Sequence, residues 1–416
     1  MNTPLFLARR LGLKSSDDRA ASPGVIVGYT GVALAIIIML LAISVVNGFK
    51  KEITGKLIGF NAQITVFAPE DDDTPSFTRG IRLTDSLSAA LSAALPDASV
   101  SLIIRQPAIF KTDTDFQGII LKGLEPDADA WRFYGDNIIQ GHIPRLSDGT
   151  ECVVISNSIA SRLGVTTGDR LTTHFLEGQS VRTRRLTITG IFDSHFHDFD
   201  NAMAFTPIAM LQKLTHTDSI TGSAIEMRGM PMDQVAHNAR RVKDAMLNAA
   251  LADTSHSFYK VNTIAETCAQ YLNWLDLLDT NVIVIIIIMA CVAAITLISS
   301  LFIIILERVS TIGLLKAVGA TNGQIRRMFI YMAERLVIRG ILIGDIIALG
   351  IAWLQCHFHI LPLDAEAYYL NYVPVDISWK AVAVVNIAVI IISALVLILP
   401  SHIIARLSPT TALRYE

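Results

Sequence analysis

Four apolar stretches are set at unequal intervals along this 416-residue chain, and their spacing constrains the fold more than any single motif does. They run Val25 to Val46, Val282 to Leu306, Leu336 to Leu354 and Val382 to Leu399, with a polar-rich interval of about 235 residues between the first two. At a rise of about 1.5 Å per residue, each is long enough to cross a hydrocarbon core of about 30 Å. The chain therefore reads as an integral membrane protein. Its hydrophobic content of 52% agrees, because a soluble chain needs more polar residues to cover its core.

Charge placement orients the chain. Arg9, Arg10, Lys14 and Arg19 precede the first stretch, and Arg308, Lys316, Arg326, Arg327 and Arg335 lie between the second and third. The loop from Gln355 to Ala381 offers Lys380 against Asp364, Glu366 and Asp376. Short cytoplasmic loops carry the excess of Lys and Arg, so both termini are expected in the cytoplasm. The resulting layout is a cytoplasmic segment 1–24, spans at 25–46, 282–306, 336–354 and 382–399, an extracytoplasmic domain 47–281, a cytoplasmic loop 307–335, an outer loop 355–381 and a cytoplasmic end 400–416. The first span is longer than a signal-peptide core and lacks a small-residue cleavage site, so it reads as a retained anchor. The net charge of −3 gives no reason to expect nucleic acid.

The outer domain mixes strands and helices. Asn61 to Phe67, Ser99 to Arg105 and Gln117 to Gly123 read as strands, with a helix from Asp85 to Ala94 ended by Leu95-Pro96. Ser223 to Arg228, a helix from Met232 to Leu251, and His256 to Val261 repeat the theme near the other end. The expectation is an α+β domain of two subdomains, the second inserted at about 141–209. Within that insert, Leu176-Glu177-Gly178-Gln179-Ser180 reads as a protruding hairpin tip. Cys152 and Cys268 are the outer pair of four cysteines, and the sequence leaves open whether they are bridged.

The cytoplasmic loop reads as two short helices broken at Gly319-Ala320-Thr321-Asn322. Gly319 suits a left-handed terminator, and Thr321 or Asn322 an N-cap. Ile312, Leu315 and Val318 fall at helical spacing. That stripe needs cover, either from a partner or from the chain's own span ends.

Several motifs together resemble the LolC/LolE family of permease subunits. They are Ser44-Val45-Val46-Asn47-Gly48-Phe49 with Glu52, Asn61-Ala62-Gln63-Ile64, and Glu307-Arg308 leading to Ile312-Gly313-Leu314-Leu315-Lys316-Ala317-Val318-Gly319-Ala320. Gln324-Ile325 and the ending Pro400-Ser401, Ala405, Pro409, Ala412-Leu413-Arg414-Tyr415-Glu416 complete the set. The resemblance covers the whole chain. It implies four transmembrane helices with a MacB-like periplasmic core, in the inner membrane of a Gram-negative bacterium. The implied activity is extraction of lipoproteins from that membrane and their transfer to a periplasmic carrier. The implied partners are two copies of an ABC ATPase subunit, a second permease that is identical or paralogous, the carrier, the lipoprotein and membrane lipids. ATP and Mg²⁺ would sit on the ATPase. This chain offers no phosphate loop: Gly48 through Gly55-Lys56 has six residues between its glycines instead of four, and Leu57 follows where Ser or Thr is needed.

The resemblance also assigns residues. Ile312, Leu315, Lys316, Gly319 and Ala320 become the ATPase contact. Val46, Asn47 and Phe49 become the wall of an acyl-chain cavity, opposite Val282 to Met289, although Phe49 also suits an interfacial ring. His174, Arg182, Arg184 and Arg185 become a carrier contact on the hairpin, where the family's Pro-x-Gly segment is missing and a solvated basic tip is the plainer reading. A related permease that expels amphiphiles, like MacB, and a regulator of cell-wall hydrolysis, like FtsX, are the alternatives.

Two constellations invite chemistry. His195-Phe196-His197-Asp198-Phe199-Asp200 departs from the metallo-hydrolase pattern, and on a strand its histidines and aspartates would point to opposite faces, so a strand-end turn is expected. Asp345 falls near mid-span beside Gly340, Gly344 and Ala348, and is expected neutral or hydrogen-bonded against a neighbouring helix, with Ser299 or Ser300 as partner, a proton relay being the alternative. No catalytic residue and no metal site are assigned.

Overall fold

The structure is a computed structural model that describes residues 23–68, 80–113, 115–177, 180–252 and 259–396. The basic residues ahead of the first span, the Pro400 to Glu416 motif and the Gly178-Gln179 tip lie outside them. The described residues form two compact units. One takes its residues from Met1–Lys51, Trp274–Pro362 and Tyr372–Glu416, the other from Glu52–Asn273 and Leu363–Asn371.

In the helical unit, Pro23–Phe60, Ala269–Glu307, Asn322–Phe358 and Trp379–Val396 are the helices long and apolar enough to cross a membrane among the described residues. The first is packed deepest, with Val32, Ile36, Met39 and Leu40 buried. The small-residue stripe of the third helix allows this. A Cβ added at Gly340 would lie 2.9 Å from Val32, and one at Gly344 would lie 2.9 Å from the Ala33 carbonyl. The second and fourth helices leave Ile283, Ile287, Ile288, Val384, Ile387 and Ile391 exposed, surfaces that hydrocarbon can solvate.

Between the second and third spans lies the short helix Val309–Ala317, ended at Gly319, whose φ of +96° an L side chain resists. Thr321 then caps the next helix. Its hydroxyl accepts from Gln324 N, and the Gln324 side chain accepts from Thr321 N, a complete capping box. That helix does not stop at Arg335. It runs unbroken from Asn322 to Phe358, because no proline or chain-bending cap intervenes before the apolar stretch.

The second unit is built on strands. In chain order they are β1 (Ile64–Phe67), β2 (Ile81–Arg82), β3 (Ser99–Lys111), β4 (Phe116–Leu124), β5 (Ile138–Gly141) and β6 (Cys152–Ser156). They continue with β7 (Arg170–Glu177), β8 (Ser180–Phe192), β9 (Met203–Pro207), β10 (Thr221–Gly222), β11 (Ala224–Arg228) and β12 (Lys260–Thr263). A four-stranded antiparallel face runs β12-β1-β11-β3. Helices Asp85–Ala94 and Val235–Ala252 cover it, with Leu87, Leu91, Ala239, Val242 and Met246 in one core with Ile64, Leu102 and Ile225. Thr84 starts the first of these helices by accepting from Leu87 N, and Pro96 follows its end.

The segment of β5 to β9 does not stand apart from this face. β3 is longer than its sequence suggests, and its far half pairs with β4 on one side and with β7 on the other, Ala108 opposite Phe175 and Lys111 opposite Thr172. The pairings β3-β4-β9-β6-β8-β7 then return to β3, a closed ring that leaves those strands no free edge. Both halves of the domain therefore share β3 and β4. Leu363–Asn371, the middle of the loop between spans three and four, belongs to this unit as well.

Candidate functional sites and family relationship

The short helix Val309–Ala317 has two unlike faces. Ile312 is buried against Met328, Phe329 and Met332, and Leu315 and Ala320 pack partly on the same core. Leu314 and Val318 are exposed, at 61% and 81%. The expected stripe of Ile312, Leu315 and Val318 is thus divided. Ile312 is committed to the chain's own helices, and the outward apolar residues are Leu314 and Val318, with Gly319 exposed beside them. A nine-residue helix that is apolar on most sides cannot announce its inner face from spacing alone.

At the other end of the first span, Val46, Asn47 and Phe49 are all half-buried. Here the first helix is fastened to its neighbours. Gly48 admits the loop between spans three and four, since a Cβ there would lie 2.6 Å from the carbonyl carbon and oxygen of Pro374. Ser44 O accepts from Asp376 N at 2.9 Å. Lys51 Nζ lies 2.9 Å from Asp376 Oδ1, and Lys50 Nζ lies 2.5 Å from Asp279 and 3.4 Å from Asp276 on the second helix. These pairs are largely solvent-exposed and contribute little each, on the order of 0–1 kcal/mol, but together they fix which faces of spans one and two meet.

In the strand unit the sequence reading missed a buried ionic cluster. Lys122 on β4 and Glu226 on β11 are both fully buried, their charged ends 2.6 Å apart. Arg228 and Arg105 reach the same carboxylate at 2.9 and 3.2 Å. Two of these cations also hold the last turn of helix Pro23–Phe60. Lys122 donates to Phe60 O at 2.9 Å, and Arg228 donates to the carbonyls of Ile58 and Gly59. Those are helix C-terminal carbonyls without intrahelical partners, carrying the negative end of the dipole, so buried cations are the complementary cap. Burial alone would raise the Glu226 carboxyl, but Lys122, Arg228 and Arg105 hold it well below the usual carboxylate range. Burial, opposed by Glu226, brings Lys122 down to about 7. The available signal was a lysine inside Ile119 to Leu124 and a glutamate inside Ala224 to Met227, each the charged member of an otherwise apolar strand.

A second cluster ties in the loop between spans three and four. Asp198 accepts from the hydroxyls of Tyr271 and Tyr369 at 2.7 and 3.0 Å, and Lys56 Nζ donates to Tyr369 O at 2.7 Å. His197–Asp200 forms a short helix rather than a strand, and His195 takes a left-handed φ of +57°. Asp200 is buried and accepts from Ser194 Oγ, and burial raises its carboxyl to about 6. Among the described residues no group of three or more His, Cys, Asp or Glu is placed to hold a metal.

The hairpin is held more tightly than its turn-rich sequence implies. β7 is paired to β3 as far as Phe175, so only the pairs Leu176 with Val181 and Glu177 with Ser180 extend past the ring. Arg182 donates to Leu214 O at 2.5 Å, which turns its guanidinium onto the domain. Arg184 and Arg185 are exposed, and His174 is half-buried with Nδ1 2.9 Å from Thr183 Oγ1. Cys152 and Cys268 are free buried thiols, each pushed up to about 11 chiefly by burial. Asp345 does not meet Ser299 or Ser300. It accepts from Asn386 Nδ2 on the fourth span at 2.8 Å, while Ser300 donates to Gly24 O on the first.

Comparison with known proteins places this architecture. Residues 12–244 match the MacB-like periplasmic core domain, and residues 283–409 match the FtsX-like permease C-terminal domain. The chain belongs to the MacB-like periplasmic core family, as a LolC/LolE-family permease. Similar relatives include the lipoprotein-releasing system transmembrane protein LolC of Xylella fastidiosa, 23% identical over 93% of this chain and 92% of the relative. LolC of Neisseria meningitidis is 22% identical over 94% of each, and LolE of Haemophilus influenzae 22% identical over 99% of each. Among solved structures, the periplasmic region of MacB from Actinobacillus actinomycetemcomitans covers 52% of this chain and 95% of its own length at 16% identity, with a TM-score of 0.35. In this LolC/LolE-family permease the ionic cap on helix Pro23–Phe60 lies within the matched core domain, and the Val309–Ala317 helix within the matched permease domain.

Proposed function

We propose that this chain is the membrane-spanning permease of a lipoprotein-releasing ABC transporter, embedded in the inner membrane of a Gram-negative bacterium with both termini in the cytoplasm. The observation that carries this reading is agreement over 93% and 99% of the chain with relatives named LolC and LolE, across four spanning helices with one large domain between the first two. ATP and Mg²⁺ are held by a separate ATPase subunit, present in two copies. The helix Val309–Ala317 docks on it through Leu314 and Val318, flanked by Lys316, Gly319 and Ala320, while Ile312 and Leu315 transmit the push to the third span through Met328 and Phe329. A second permease, identical or paralogous, completes the membrane part.

At the outer end of span one, Val46, Asn47 and Phe49 line the space that receives the lipoprotein's acyl chains, with Val282 to Met289 opposite. Each methylene moved between apolar surfaces keeps its transfer free energy of about 0.8 kcal/mol, which is why a lipid-anchored protein leaves the bilayer only when another apolar surface accepts its chains. The periplasmic core, built as two α+β halves sharing β3 and β4, then passes the lipoprotein to a carrier, with Arg184, Arg185 and His174 at the hairpin as the contact and Arg182 as its internal brace. Depleting the chain in cells tests this: lipoproteins should accumulate in the inner membrane. Unchanged lipoprotein sorting with hypersensitivity to amphiphilic drugs would replace it by an efflux function.

A further inference from the structure

We propose that a groove in the helical unit holds an acyl chain of an anionic glycerophospholipid whose phosphate sits on Lys380. The groove has a volume of about 310 Å³, at the lower end of the roughly 300–1,000 Å³ of ligand pockets. Its walls are Met39 and Ile43 of the first span, Ile286 and Ala290 of the second, and a stripe of the fourth running from Ala381 to Ile392. Among the described residues Lys380 is the only charged one in its wall, and it contributes its aliphatic stem, because the lining surface is wholly apolar.

Length fits a single leaflet. Residues 380 to 392 rise about 18 Å at about 1.5 Å each, and one leaflet contributes roughly half of a 30 Å hydrocarbon core. Charge fits a phosphate. Lys380 and the exposed Trp379 begin the 18-residue helix Trp379–Val396, where an ammonium and an indole mark the membrane interface and the helix dipole adds positive potential. The nearby carboxylate Asp376 is engaged by Lys51 at 2.9 Å, so it does not cancel that potential. The leaflet concerned borders the loop between spans three and four. The groove adjoins the acyl-chain space proposed above, since Ile286 lies within Val282 to Met289, and the identity of the bound lipid, phospholipid or lipoprotein anchor, tells the two readings apart.

The test uses the full-length chain in nanodiscs of equimolar phosphatidylglycerol and phosphatidylcholine with identical chains, followed by native mass spectrometry of the lipid that stays bound. The wild type should retain phosphatidylglycerol about fivefold over phosphatidylcholine, the ratio that one lysine near a phosphate supplies. Lys380→Ala should bring that ratio to one, and Lys380→Arg should keep it. Ala388→Phe or Ala290→Phe, each filling one wall, should abolish retained lipid of both kinds. A wild-type ratio of one, or an unchanged ratio in Lys380→Ala, overturns the headgroup assignment. Undiminished retention in both filled variants overturns the groove. Recovery of a lipoprotein anchor, or of a second copy crosslinked along Ala381 to Ile392, in place of phospholipid overturns the occupant. If the filled variants do not fold, the comparison of Lys380→Ala with Lys380→Arg still decides.

Discussion

Replacing Glu226 by glutamine should damage this protein more than removing the lysine it pairs with. Glu226 is fully buried and, among the described residues, is the carboxylate paired with Lys122, Arg228 and Arg105, at 2.6, 2.9 and 3.2 Å. Glutamine keeps the shape and leaves Arg228 and Arg105 without their counter-charge, while Lys122, already brought down to about 7 by burial, loses the charge that opposes its deprotonation. Breaking a buried pair in that way costs about 3–5 kcal/mol. In a unit of this size each kcal/mol moves the midpoint by about 2–4 °C, so the melting temperature should fall by about 6–20 °C. Lys122→Met is milder. It removes one of the three cations, leaves Glu226 with two guanidiniums, and orphans the Phe60 carbonyl, a loss of about 1–3 kcal/mol. Thermal melts of the full chain in detergent, followed by circular dichroism, provide the comparison. The reasoning fails if Glu226→Gln melts within about 2 °C of the wild type, or if Lys122→Met is the more damaging change.

Other consequences can be checked alongside. Lys122 falls from an ordinary 10.5 to about 7 in the fold, so the unfolded chain binds the extra proton between those values, and stability should rise with pH across that window and flatten in Lys122→Met. Asp200 behaves oppositely. Its carboxyl is raised from 3.8 to about 6, so the fold holds the extra proton and stability should fall as pH rises from about 4 to 6. Asp200→Asn should abolish that slope and stabilise the fold at pH 7 but not at pH 4, by up to roughly 3 kcal/mol, read as a higher melting temperature. In the helix Val309–Ala317 and its end, Leu314→Glu and Val318→Glu should abolish co-purification of the ATPase with an unchanged melt. Ile312→Ala should instead destabilise by about 2–5 kcal/mol, as a buried truncation does, and so lower the melting temperature. Gly48→Ala should destabilise by about 1–3 kcal/mol through its contact with the Pro374 backbone, read as a lower melting temperature.

Much of this architecture is legible locally. Pro96 ends a helix that Thr84 begins, Gly319 and the Thr321-Gln324 box mark the turn between two helices, and the apolar runs announce the four spanning helices. What could not be read depends on distant partners. Lys122 looks like the solvent face of a strand until β11 brings Glu226 beside it. The closure of β7 onto β3 joins residues more than 60 apart in the chain, and no local pattern specifies such a pairing. Asp345 had several hydroxyls and amides within conceivable reach, and only the packing of spans three and four selects Asn386. For Ile312 against Leu314, both apolar and two residues apart, the choice of inner face was made by Met328 and Phe329. The exposed residues assigned to the ATPase therefore shifted by one helical face, while the segment that carries them did not.

The most direct measurement is release in a defined system: proteoliposomes containing this permease, its partner permease and the ATPase, loaded with a labelled lipoprotein and supplied with a soluble acyl-chain carrier. ATP should move the label from vesicles to the carrier, and Leu314→Glu should stop it without unfolding the chain. Robust ATP hydrolysis with the label still in the vesicles, under conditions where an amphiphilic drug is moved instead, would contradict the account.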